Sequence, residues 1–187
     1  MLNNFFSMSD EQREQKEAFK KTLRIYSDGV IDYNIRFDVI DYDFSQDEEF
    51  KNILDSFENS YTLESIESLK KEISITGIFE KRKYIFMYDG KNKFTKDRKK
   101  TLEQYPEDFK IGFCLSKWIK YCEEIEYDST VSLQNALMDM MIDFAFTKSG
   151  YTVIRVKQDA FDWTDKGALR YLEEMIEQAK RGEFCEI

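Results

Sequence analysis

The sequence contains no histidine. That removes the side chain that most often serves as general base and transition-metal ligand near neutral pH. A Ser-His-Asp triad, a Cys-His dyad, a His-ligated zinc and the His-x-Glu deaminase signature are therefore excluded. Proline occurs once and the seven glycines are scattered, which leaves no phosphate-cradling glycine loop, dinucleotide fingerprint or Gly-x-Ser-x-Gly elbow. No Pro-rich or Gly/Ser-rich linker divides the chain, and no internal repeat is found. The three cysteines, Cys114, Cys122 and Cys185, are odd in number and match neither CxxC pairs nor a compact disulfide scaffold. They read as structural thiols of a reducing compartment. Long apolar runs are missing too. No segment approaches the ~18 to 20 apolar residues of a membrane span, and residues 1–9 lack the positive region and apolar stretch of a signal peptide. The expectation is a cytoplasmic protein with no membrane contact, no metal and no cofactor.

What is present is a chain of 187 residues, 42% apolar and 16% aromatic, with a net charge of −9. That suits one soluble α+β domain over residues 1–187, with 1–27 as a peripheral N-terminal helix. Heavy use of Lys, Ile, Asn, Phe and Tyr points to an AT-rich coding sequence, as in low-GC bacteria and their phages. Charge is distributed unevenly. Residues 28–67 hold twelve acidic and two basic side chains, whereas residues 80–100 hold nine basic and three acidic ones.

Periodicity supplies the elements. A charged helix follows the capping residues Ser9-Asp10 and ends at Ser27-Asp28-Gly29. Tyr33, Ile35, Phe37 and Val39 alternate with polar residues, and the phase then slips to Ile40, Tyr42 and Phe44. A bulge near residues 39 and 40 would keep all seven apolar side chains on one strand face. Helices are predicted over 46–58 and 62–72, then strands over 75–79 and 84–88 joined by the charged turn 80–83. The second strand is apolar on both faces and so central. A basic helix over 96–105, a short strand or helix lead-in over 109–115, a helix around Trp118, an apolar core helix over 132–149, a strand over 151–157 and a last helix capped by Thr164 or Asp165 complete the chain. This order predicts a mostly antiparallel sheet with helices packed on one face.

Three constellations carry chemistry. Asp32, Asp38, Asp41 and Asp43, followed by Asp47, Glu48 and Glu49, read as a carboxylate ladder. Alternate strand residues stand about 6.6 Å apart, a spacing poor for one metal but suited to a long basic groove, since such a ladder imitates a phosphate backbone. A plain solvated face that deters edge-to-edge association is the bland alternative. The basic residues Lys81, Arg82, Lys83, Lys96, Arg98, Lys99 and Lys100, interleaved with aromatics, have the composition of a nucleic-acid contact, although strand packing also explains the aromatics and net negative charge opposes a polyanion. Asp139 and Asp143, at i and i+4 on the core helix, make an acid/base pair only if buried. A metal-dependent nuclease site needs an acidic residue two positions before its lysine, and Arg155 occupies that place before Lys157. No catalytic residue is assigned. The sequence therefore predicts a non-enzymatic, acidic binding or inhibitor protein of the immunity-protein or phage anti-defence type. Its partner would be a protein with a basic surface, such as a nuclease or another nucleic-acid-binding protein. Direct nucleic-acid or nucleotide binding through residues 81–100 is the alternative.

Overall fold

The computed structural model describes residues 9–37, 41–57 and 61–182. Its first helix, α1 (Asp10–Tyr26), begins with a capping box in which the Ser9 hydroxyl accepts from the Gln12 N–H and the Gln12 side chain accepts from the Ser9 N–H. Few of its residues are apolar, yet Phe19 and Leu23 are wholly buried. Burial of one such side chain contributes about 1.5–3 kcal/mol, so α1 is a core helix rather than the expected peripheral one. Strand β1 (Asp32–Arg36) follows, then α2 (Glu48–Asp55), α3 (Leu63–Leu69), the strands β2 (Ser74–Phe79) and β3 (Tyr84–Asp89), α4 (Lys96–Leu102), α5 (Leu115–Ile125), α6 (Ser132–Lys148), β4 (Thr152–Lys157) and α7 (Ala168–Arg181).

The four strands form one sheet in the order β1-β2-β3-β4. β1 with β2 and β2 with β3 are antiparallel, whereas β3 and β4 run parallel over six residue pairs from Tyr84 opposite Thr152 to Asp89 opposite Lys157. Parallel neighbours need a long crossover; here it comprises α4, α5 and α6. The fold is thus α+β with a mixed sheet. Helices lie on both faces, not one. Ile85, Met87 and Val153 meet α2 to α6, while Tyr84, Phe86, Ile154 and Val156 meet α1 and α7. The reason is legible in the strands, because β3 is buried on both sides and each side needs a cover.

Of the two forms expected for 109–115, the lead-in to α5 is the one observed. The long strand proposed from residue 33 to residue 44 ends at Arg36, and Phe44 begins a 3-10 turn (Phe44–Gln46). The change of phase occurs at Asn34, whose φ is +52°, a left-handed conformation that asparagine tolerates better than most residues. It sends Tyr33 toward α1, where its hydroxyl donates to the Lys20 carbonyl oxygen at 2.8 Å, and Ile35 toward the opposite core. The bulge expected at 39 and 40 lies outside the described residues. At the start of the last helix the cap also differs. Asp165 accepts from the Gly167 N–H and shapes a preceding turn, and α7 has no side-chain cap.

Candidate functional site

Of the seven expected ladder residues, Asp38 lies outside the described residues. Asp32 is exposed on β1, which forms one edge of the sheet. Asp41 and Asp43 are exposed on the connection beyond β1, where Asp43 accepts from the Ser45 N–H at 2.9 Å; the hydrogen bonds from Ser45 hold its carboxyl below the ordinary aspartate range. Asp47 is buried and caps α2, accepting from the Phe50 N–H at 3.1 Å, from Lys148 at 2.9 Å and from the Tyr42 hydroxyl. Burial works against its charge, but these donors lower its pKa. Glu48 pairs with Lys51, and Glu49 with Lys148. A regular ladder therefore does not form, since the backbone leaves the strand after Arg36. What replaces it is a set of exposed carboxylates spread over residues 28–64. Asp28, Asp32, Asp41, Asp43, Asp55 and Glu64 are exposed and make no ion pair among the described residues. Lys70, at the end of α3, donates to the Tyr42 carbonyl oxygen and lies over the Phe44 ring, which ties α3 to the 41–46 connection.

The basic segment does not remain together. Lys81, Arg82 and Lys83 occupy the turn before β3, and Lys96 to Lys100 belong to α4 beyond its other end. A six-residue strand separates the two groups by about 17 Å. Arg82 packs over Tyr26 and Phe79, and Lys83, with φ +57°, lies over Tyr151. Lys99 pairs with Glu103 and Glu123, and Lys100 donates to the Ser56 carbonyl oxygen. Lys96 is exposed, whereas Arg98 is buried.

Arg98 leads to the feature that the sequence only hinted at. Asp139 and Asp143 are both buried, and Asp89 from the end of β3 and Arg155 from β4 meet them under α6. The Arg155 guanidinium donates to Asp143 through Nε at 2.9 Å, to both Asp89 oxygens at 2.9 and 3.0 Å, and to the Asp139 carbonyl oxygen at 3.1 Å. Arg98 donates to the other Asp143 oxygen at 2.6 Å, an oxygen that also accepts from the Tyr105 hydroxyl at 2.7 Å. Lys93 reaches Asp139 at 3.1 Å, and the Trp118 indole N–H reaches Asp89 at 3.0 Å. Three carboxylates thus face three cations in a charge-balanced cluster drawn from two strands, three helices and the connection that carries Lys93. Burial opposes the charge on Asp139, but Lys93 and Arg155 outweigh it and bring the pKa down to about 2. The i, i+4 aspartates each face arginine, Asp139 beside Arg155 and Asp143 beside both Arg98 and Arg155. Asp139 Oδ2 alone in the cluster lacks a hydrogen-bond partner. Among the described residues no group of three or more Cys, Asp or Glu side chains is arranged to hold a metal ion.

Beside this cluster a cavity of about 310 Å3 opens between the lead-in to α5, the outer edge of β4 and α7. Arg155 forms part of its wall, with Trp118, Tyr121 and Tyr171. Gly112 closes the α5 lead-in against β4. A Cβ at this position would stand 2.5 Å from the Val153 carbonyl oxygen. Cys114 lies just before α5 and provides no side-chain cap. Cys122, on the buried side of α5, has its thiol pKa pushed up to about 11 by burial, opposite to the shift a reactive thiolate requires. Cys185 lies outside the described residues. No protein-family model matches the chain, and neither the characterised proteins nor the solved structures searched contain a match. No helix among the described residues is long and apolar enough to cross a membrane.

Proposed function

We propose that the protein is a non-enzymatic binding protein whose exposed carboxylates between residues 28 and 64 cover a basic surface of a partner protein, of the kind a nuclease or another nucleic-acid-binding protein presents. The observation that carries this reading is the contrast between two sets of carboxylates. Those of the interior are each committed to arginine or lysine. The six exposed ones between residues 28 and 64 face solvent and make no ion pair among the described residues. Unneutralised charge on the surface of a molecule steers association with an oppositely charged surface and accelerates it, an advantage that salt removes. Toxin-neutralising immunity proteins and phage inhibitors of host defence nucleases form the class to which such a mode of action belongs. A cytoplasmic setting is part of the proposal. Direct nucleic-acid binding is less well supported, because the basic segment is divided and four of its seven cations are buried, ion-paired or bonded to backbone.

The test is capture from cells of the source organism with wild-type protein and with the Asp32→Lys, Asp41→Lys, Asp55→Lys variant, all three positions being exposed. A basic protein retained by wild type at 0.05 M NaCl, released by about 0.3 M and associating at least tenfold more slowly with the variant is the expected result. Equal association rates for the two proteins would refute the proposal, as would an oligonucleotide bound tightly by both.

A further inference from the structure

The cavity beside α5 has a chemical character at odds with the chain that builds it. The protein is strongly acidic, yet the cavity is lined by Lys117, Lys157 and Arg155 and by no carboxylate among the described residues. Its remaining wall is largely aromatic, with Trp118, Tyr121 and Tyr171. The three cations differ in what they can offer. Arg155 is wholly buried and its N–H groups are used by Asp89, Asp139 and Asp143, so it lends the cavity part of its wall but no free donor and no unpaired charge. Lys157 donates to Asp159 at 3.1 Å and lies 5.3 Å from the centre of the Tyr121 ring. Lys117 is partly exposed and has no ion-pair partner among the described residues. Trp118 is held by its hydrogen bond to Asp89, and Tyr171 by stacking on Phe161 at 4.4 Å between ring centroids. The aromatic walls are therefore set in position before any ligand arrives, which reduces the ordering cost of binding.

We infer that this cavity is a binding site for a small anion carrying a planar ring, with the ring against Trp118, Tyr121 and Tyr171 and the anionic group at Lys117 and Lys157. A space of about 310 Å3 is at the small end of ligand sites, which selects one ring system with one acidic group and excludes a polymer. The site lies at the β4 edge, across the sheet from β1, and the inference does not depend on the partner-binding proposal.

The experiment is an amide and indole NMR titration of the full chain with two probes, adenosine monophosphate and indole-3-acetate, which carry the same chemistry as a phosphate and as a carboxylate. Adenosine, indole and inorganic phosphate serve as half-ligands. Saturable shifts at Lys117, at the Trp118 indole and at Lys157 with either probe, weaker with each half-ligand, are expected, and the more strongly bound probe identifies the acidic group. Lys117→Ala, on a partly exposed side chain, should weaken that binding by about fivefold, the usual scale for one charge-assisted contact. Absence of saturation by either probe at 2 mM would overturn the inference, and so would binding that Lys117→Ala leaves unchanged.

Discussion

Arg155 shows most clearly how one side chain organises this protein. A buried guanidinium needs several acceptors, and a buried carboxylate needs donors; the planar fork of arginine meets Asp89, Asp143 and the Asp139 carbonyl oxygen through separate N–H groups. The arrangement has a consequence for acid stability. The Asp139 pKa is lowered from an ordinary 3.8 to about 2 in the folded protein. A carboxyl depressed in this way contributes stability that is complete above about pH 4 and is lost as the pH falls through about 2. Urea denaturation between pH 6 and pH 2 should therefore show a decline concentrated in the lower two units, and Asp139→Asn should flatten that decline while lowering stability at neutral pH. An acid limb identical in wild type and Asp139→Asn would show that Asp139 does not carry it.

Of the close approaches that the described glycines permit, that of Gly112 in the lead-in to α5 to β4 is the shortest. A methyl group at Gly112 would stand 2.5 Å from the Val153 carbonyl oxygen and 2.6 Å from the Thr152 methyl carbon. Neither backbone atom nor β-branched side chain can yield cheaply. Gly112→Ala should cost about 1–3 kcal/mol, the range found for overpacked sites, and should widen the cavity between α5 and α7. Thermal denaturation checks the first effect, and the chemical shift of the Trp118 indole checks the second. A variant as stable as wild type would mean that the lead-in moves freely away from β4. The helices on either side of the sheet are held differently. α6 is buried almost all round, whereas α7 buries one stripe formed by Ala168, Leu172, Ile176 and Ala179.

For the molecule as a whole, the sheet is the shared wall of both cores. Every residue of β3 is buried, with Phe86 facing one core and Ile85 the other. Loss of α1 and α7 would expose the Phe86 side to water, and loss of α6 would strand the buried ions of the opposite side. Neither half is expected to survive alone. Calorimetry should accordingly give one transition whose calorimetric and van't Hoff enthalpies agree; two resolved transitions would show that the two layers unfold separately.

The sequence by itself determined most of the elements, because hydrophobic periodicity and caps are local. Ser9 caps the helix it was read to begin, and the apolar runs of β3 and α6 marked the interior correctly. It also excluded the histidine chemistries outright. It could not show which carboxylates are buried together, since Asp89, Asp139, Asp143, Arg98 and Arg155 are brought within hydrogen-bonding distance only by the crossover from β3 to β4. The one signal available was the pair of aspartates on an otherwise apolar helix, which counted as a polar stripe until partners for it were found. The expected acidic ladder failed for a related reason. Alternation of side chains assumes regular backbone dihedrals, and a single left-handed residue, Asn34, reverses which face the next side chain joins. Likewise the basic run of residues 80–100 is continuous along the chain but interrupted in space, because β3 carries its two halves to opposite ends of the sheet. Local pattern decides what each segment becomes; which charges meet depends on long-range packing, where burial forces every ion to find a partner.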